Sequence, residues 1–248
     1  PFLLVMGLFL FGLIGGIAQG FGYIPAFGLY EPTLRYLKEA LGSRSFLSSI
    51  GVSLFIAVPA ALASTVCATA LSYSLVALKK THGAFYTIIK IPMYLPWMVT
   101  GLLMINLLSG SGWVARVFHA LGLSELETAM SRVLFQSNYL GVILAFVWAC
   151  TPFLCFFIIT VMDNLSGTFG ESARSLGAGQ WQTFWNITFP LCLPTIRSMF
   201  LIALLSCFGS YEIPLLLGVT TPRALPVEIY YQYNHFDLQH RPYAMALN

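Results

Sequence analysis

Residues 171–190 read ESARSLGAGQWQTFWNITFP. A carboxylate, an arginine, two glycines and a closing proline interrupt a chain that is otherwise strongly apolar. The stretch is too polar to cross a bilayer, yet its spacing is that of ordered structure. Thr168, Phe169, Gly170 and Glu171 fit a capping box: the threonine hydroxyl caps a helix start and the glutamate returns to the threonine N–H. SARSLGA then predicts about two turns of helix, which Gly177 or Gly179 ends in a left-handed conformation. QWQTFWNIT predicts a second short helix with Trp181, Phe184 and Trp185 on one face, an aromatic face suited to a membrane interface. Pro190 marks the turn into the next apolar run. The expected unit is a short helix–turn–helix lying on a membrane face between two spans.

Composition fixes the surroundings of that unit. The 248 residues are 58% hydrophobic and only 8% charged, against about 25% charged in a soluble domain. Mean hydropathy is +0.80. A soluble fold so poor in charge cannot cover its surface, so the chain is expected to be an all-α integral membrane protein. The net charge of +3 is small and no basic run suggests nucleic acid, so no nucleic-acid partner is expected. The five cysteines form no CxxC pair and lie in or beside apolar stretches. They read as small packing residues, with no metal site, no cofactor and no catalytic residue expected. Pro1 already lies inside an apolar run, and YAMALN at the other end begins a new one, so both ends are expected to be cut. The first run lacks the basic start and clear cleavage site of a signal peptide.

Five runs are long enough to span a core of about 30 Å: 1–18, one within 46–78, 85–108, 139–161 and 189–211. The terminal run is expected to start a sixth. Lys90 and Arg197 are each read as lying near a span start, where a long side chain snorkels to the headgroups. Pro59, Pro152 and Pro194 fall inside or near the ends of spans. Ala60, Ser64, Ala68 and Ser72 form an i, i+4 stripe that lets another helix backbone approach. The short link with Lys79, Lys80 and Lys90 is expected in the cytoplasm. Alternation then places 162–188 inside and 19–45, 109–138 and 212–241 outside. In the outer segments LRYLKEAL (34–41) and GWVARVFHALGL (112–123) predict short amphipathic helices, with His119 solvated or interfacial. The expected division is an N-terminal span and outer segment, 1–45, followed by a membrane core, 46–248.

With the spans placed, the opening stretch resembles the EAA loop of permease subunits of binding-protein-dependent ABC importers, the MetI-like family. That pattern is E-A-A, three residues, Gly, nine residues, I-x-L-P. Glu171, Ser172 and Ala173 are followed after three residues by Gly177, and after nine more by Ile187, Thr188, Phe189 and Pro190. Ser172 replaces Ala and Phe189 replaces Leu; every spacing is kept. The resemblance runs from about residue 46 to the end. It implies a type I importer permease core with a cytoplasmic coupling helix that fits a groove on a separate ATPase. Glu171, Ser172, Ala173, Gly177, Ile187 and Pro190 are its coupling residues by that resemblance. It also implies an ATPase homodimer, a second, paralogous permease subunit, a solute-binding protein and a multi-pass place in a bacterial inner membrane. The chain carries no Walker A pattern, so ATP hydrolysis is expected of the partner and not of this chain.

The region from YEIPLLLG to YAMALN resembles permeases for spermidine and putrescine, which points to a polyamine-like solute. Ferric iron, sulfate and phosphonate relatives stay open, as does an ion-coupled secondary transporter, although that class needs ionisable groups at mid-membrane. Glu212 beside Tyr211 can pass a cation along, or can simply meet water or Arg223. Tyr94, Trp97 and Asn106 can line a path through a span made irregular by Pro92 and Pro96, or can serve packing and anchoring.

Overall fold

In hydrocarbon each backbone N–H and C=O must be satisfied within its own segment, so long apolar runs fold as helices. The computed structural model describes residues 2–25, 30–78, 83–130, 132–170, 173, 177–236 and 240–247, and among these there is no β-strand. In chain order the helices are α1 (Phe2–Gly20), α2 (Arg35–Gly42), α3 (Arg44–Ala77), α4 (Ala84–Lys90), α5 (Trp97–Leu108), α6 (Trp113–Ala120), α7 (Ser124–Met130), α8 (Leu140–Leu165), α9 (Gln180–Thr183), α10 (Phe189–Gly209), α11 (Glu212–Leu217), α12 (Leu225–Tyr233) and α13 (Arg241–Leu247). Among the described residues, five helical runs are long and apolar enough to cross a membrane: Phe2–Gly20, Arg44–Ala77, Trp97–Ala120, Leu140–Leu165 and Gln180–Gly209.

The chain forms two compact units, Pro1–Leu54 with Thr220–Asn248, and Phe55–Val219. In the first, α1 has no buried residue. Its last residue, Gly20, meets the backbone of α13 so closely that a Cβ there would lie 3.1 Å from the Met245 carbonyl oxygen. The Leu225 N–H at the start of α12 donates to Ser53 Oγ at 2.7 Å. The amphipathic helix expected over 34–41 is present as α2. On it Arg35 Nε donates to Glu39 Oε1 at 2.7 Å, and the Tyr243 hydroxyl donates to Glu39 Oε2. The Tyr243 hydrogen bond, then that from Arg35, holds the exposed Glu39 carboxyl below its ordinary range. Arg223 pairs with Glu228 at 3.5 Å and stacks over the Tyr231 ring.

In the second unit α8 is the central helix, packed against α5, α10 and α11. The predicted small-residue stripe is fully enclosed: Ala60, Ser64, Ala68 and Ser72 all have 0% exposure. Ser64 Oγ turns back to the Ala60 carbonyl, which satisfies the hydroxyl inside its own helix. Ser72 Oγ reaches α8, 3.4 Å from the Cys155 carbonyl oxygen. Cys150, Cys155, Cys192 and Cys207 are buried and Cys67 is exposed, all as free thiols.

Two spans differ from their predicted outlines. The run 85–108 is not one helix. After α4 the chain makes a 3-10 turn, Ile91–Tyr94, and then extends through Leu95 and Pro96 before α5 begins. Pro96 pushes Leu95 out of the helical region, to φ −82° and ψ 131°. The span therefore starts at Trp97 and leaves Lys90 outside it. The Lys90 ammonium lies 3.9 Å from the Tyr86 ring centroid and 4.7 Å from that of Phe156, a cation–π cradle. The second difference concerns Pro190. It does not turn the chain into a new span, because residues Gln180–Gly209 form one helical run of 30 residues. A π turn, Phe184–Thr188, joins α9 to α10, with the Phe189 N–H bonded to the Phe184 carbonyl. Pro190 sits at the start of α10, where its missing N–H is tolerated.

Candidate functional site

The loop after α8 supplies the first candidate. Helix α8 runs on into a π turn, Ser166–Gly170, so the backbone at Thr168 is already helical and is not the expected fresh helix start. Glu171 and Ser172 lie outside the described residues, as do Lys79, Lys80 and His82. Ala173 is helical and buried. Gly177 has φ +87°, the left-handed end expected of it, and the Ala178 N–H donates to the Ala173 carbonyl at 3.0 Å. A bond reaching back five residues across a left-handed glycine is the Schellman motif. Gly179 is extended, φ −69° and ψ 158°, and leads into α9.

The aromatic face predicted for 181–185 is split. Trp181 and Trp185 are exposed, while Phe184 is buried at 7% exposure. Phe184 packs on Tyr73 near the end of α3, with ring centroids 4.4 Å apart, and Trp181 meets the same ring at 6.1 Å. Phe189 closes the cluster from α10, 5.8 Å from Phe184. Ile187 lies in the π turn and Pro190 in the first turn of α10. The loop is thus clamped to the end of α3 and is continuous with α10. Tyr73 was missed from the sequence, since nothing in 46–78 marks which residue faces a loop a hundred positions later.

The second candidate is an open recess of about 420 Å³ at the far end of α10. Trp97, Tyr211 and Glu212 line it, together with Ser206, Gly209 and Ser210. Three of the five predicted path residues are therefore brought together and two are not. Tyr94 is 72% exposed beyond the recess, in the 3-10 turn. Asn106 is exposed on α5, its amide donating to the Leu102 carbonyl at 2.9 Å. Glu212 is the first residue of α11, and Arg223, weighed as its partner, pairs with Glu228. Trp97 stands edge-on to Phe146, 5.6 Å between centroids. Trp97 and Ser206 also line a smaller cavity of about 220 Å³ between residues 92–95, α8 and α10. Ser206 and Ser210 were not predicted. Their hydroxyls lie at helix spacing on an apolar run and carry no signal until the helix face is known. Ser210 Oγ is buried without a hydrogen-bond partner among the described residues. No group of three or more His, Cys, Asp or Glu able to hold a metal occurs among the described residues.

Comparison with known proteins bears on the family of the chain. The family model described as binding-protein-dependent transport system inner membrane component matches residues 61–236. The sulfate transport system permease protein CysT of Synechocystis sp. is 34% identical over 148 residues, 58% of this chain and 47% of that protein. A probable sulfate transport system permease protein, cysT, of Chlorokybus atmophyticus is 28% identical over 152 residues, 60% of this chain and 50% of its own. The CysW permease of the same Synechocystis system is 26% identical over 153 residues. The chain spans about half the length of these relatives. Among solved structures, a bacterial ABC transporter involved in the import of the acidic polysaccharide alginate superposes with a TM-score of 0.74 at 19% identity, covering 100% of this chain and 85% of that one.

Proposed function

Because the chain belongs to the family of inner membrane components of binding-protein-dependent transport systems, we propose that it is one permease subunit of an ABC importer whose solute is a sulfate-type oxyanion. The loop is the coupling element: Glu171, Ser172, Ala173 and Gly177 dock on a separate ATPase, and Ile187 and Pro190 carry its motion into α10. The observation that carries this is the capped loop clamped on Tyr73 and continuous with the helical run Gln180–Gly209. A push on the loop is then delivered to α3 and α10 together, because Phe184 ties the helical run that begins at Gln180 to Tyr73, and a rigid helix transmits displacement along its axis where a loose loop absorbs it. Closing and opening of the ATPase homodimer would move these helices and open the path alternately to either side. A second, paralogous permease subunit completes the path, and a solute-binding protein delivers the anion from outside. CysT and CysW stand as the pattern for such a pair.

The names of the relatives support the oxyanion, and the polyamine reading drawn from the YEIPLLLG region finds no support among them. The hydroxyls of Ser206 and Ser210 suit an oxyanion, since each donates without adding a fixed charge. One observation favours the second reading. Glu212, Tyr211 and Trp97 on one recess offer a carboxylate and two rings, which attract an organic cation. Uptake separates the two. The complex with its ATPase, partner permease and binding protein is reconstituted in proteoliposomes and given labelled sulfate or labelled spermidine with ATP. Sulfate uptake well above the no-ATP background is expected, with none for spermidine. The reverse pattern overturns the oxyanion.

A further inference from the structure

The continuous run Gln180–Gly209 moves Arg197 from the edge of a span to its middle. Trp181 and Trp185 are exposed aromatics of the kind that settle at a membrane interface. Arg197 lies midway between Trp185 and Gly209, roughly 18 Å along the axis from each. That places its Cα near the centre of a core of about 30 Å. The residue is exposed, and no acceptor among the described residues pairs with its guanidinium.

The surface around it is one face of α10. Pro194, Arg197, Ser198, Leu201, Leu205 and Gly209 are all exposed and recur at steps of three or four. The face runs without interruption into the recess of Ser206, Ser210, Tyr211 and Glu212. Ser198 Oγ bonds to the Pro194 carbonyl at 3.0 Å, a carbonyl one turn below it. A face of this kind has three possible neighbours. Lipid is disfavoured, since a guanidinium at mid-membrane keeps a charge where nothing solvates it. A protein neighbour would need an acid opposite Arg197. A water-filled path needs neither, and it is continuous with the recess already described.

We propose that Arg197 is the residue that takes up the charge of the anionic solute halfway across the membrane, on a path lined by this face of α10. The inference rests on the oxyanion reading above. An arginine fork donates two parallel hydrogen bonds to adjacent oxygens of an oxyanion, which a lysine cannot reproduce although it keeps the charge. Glu212 lies at the recess end of the face, just beyond Gly209, which is about three turns of helix from Arg197. The anion therefore passes that carboxylate before it meets the guanidinium, and Arg197 is the only cation described on α10.

The test uses the whole reconstituted complex, with Arg197→Gln and Arg197→Lys beside the wild type. ATP-driven uptake of labelled sulfate is measured against concentration, together with co-purification of the ATPase and of the second permease subunit. Arg197→Gln is expected to assemble fully and to lose uptake by about tenfold or more, as a charge-assisted pair is removed. Arg197→Lys is expected to raise the half-saturating sulfate concentration several-fold, by roughly 3–10, with maximal uptake within about twofold. Full uptake by Arg197→Gln in a complex whose wild type imports sulfate overturns the role of Arg197 and leaves the oxyanion reading standing. Loss of the second subunit from both variants also overturns it, because Arg197 then holds an acid on that subunit. A wild type that imports spermidine and no anion overturns both readings.

Discussion

Gly177→Val is expected to cut ATP-driven uptake at least about tenfold while the protein still inserts in the membrane. Gly177 has φ +87°, and the Ala178 N–H reaches across it to the Ala173 carbonyl. A side chain in this left-handed region costs about 1–2 kcal/mol, and a β-branched one more. Space among the described residues does not cause the defect, because a Cβ at Gly177 meets none of their atoms within 4 Å. The strain is in the backbone, so the capped end opens and the loop ceases to be rigid. A loss of about 1.4 kcal/mol of coupling corresponds to a tenfold fall in rate, and uptake should drop by at least roughly that factor. Gly177→Asn separates strain from contact. Asparagine tolerates the left-handed region, so it should keep most of the uptake if strain alone matters. Loss in both variants at matched membrane levels would place the ATPase surface against Gly177 itself. Full uptake by Gly177→Val would remove the loop from the coupling path.

Ala68→Leu gives the second large effect, on stability instead of coupling. Ala68 has 0% exposure and stands between Ser64 and Ser72 on the enclosed face of α3. Extra methyl groups in such a site force side chains off their rotamers, at about 1–3 kcal/mol. Val66, two residues away, is 66% exposed. Val66→Leu should therefore leave the melting temperature in detergent unchanged, while Ala68→Leu lowers it by several degrees, roughly 2–8 °C. Equal melting temperatures for the two variants would show that the stripe is not a close-packed contact.

The spans were legible because hydrophobic length is a direct reading of bilayer thickness. The same holds for Gly177, where one residue type answers one backbone requirement. Pro190 misled for an identifiable reason. A proline after a polar stretch reads as a break, yet at the first turn of a helix it breaks nothing, and the π turn at Phe184–Thr188 accommodates the approach to it. That single continuity decides where Arg197 lies. Read from a start at 189 it is a snorkelling residue near a membrane face. Read from Gln180 it is central. The recess was half legible. Trp97, Tyr211 and Glu212 stood out as polar or aromatic groups at span ends, whereas Ser206 and Ser210 depend on how α10 faces the recess. Tyr94 and Asn106 were drawn by type alone, and the kink at Leu95–Pro96 and the turn of α5 set them apart from the recess.

If the loop at 171–190 couples transport to ATP, it bears on the ATPase. Gln180 is exposed at the start of α9, just beyond the Gly177 cap. With the five native cysteines replaced, Gln180→Cys in the assembled complex is labelled with a short thiol-reactive photo-cross-linker in inverted membrane vesicles and irradiated, with and without ATP. One cross-linked product is expected, joining this chain to the ATPase subunit, with a yield that changes when ATP is bound. No product with the ATPase in either state, or a product with the solute-binding protein added from the other face, would contradict it.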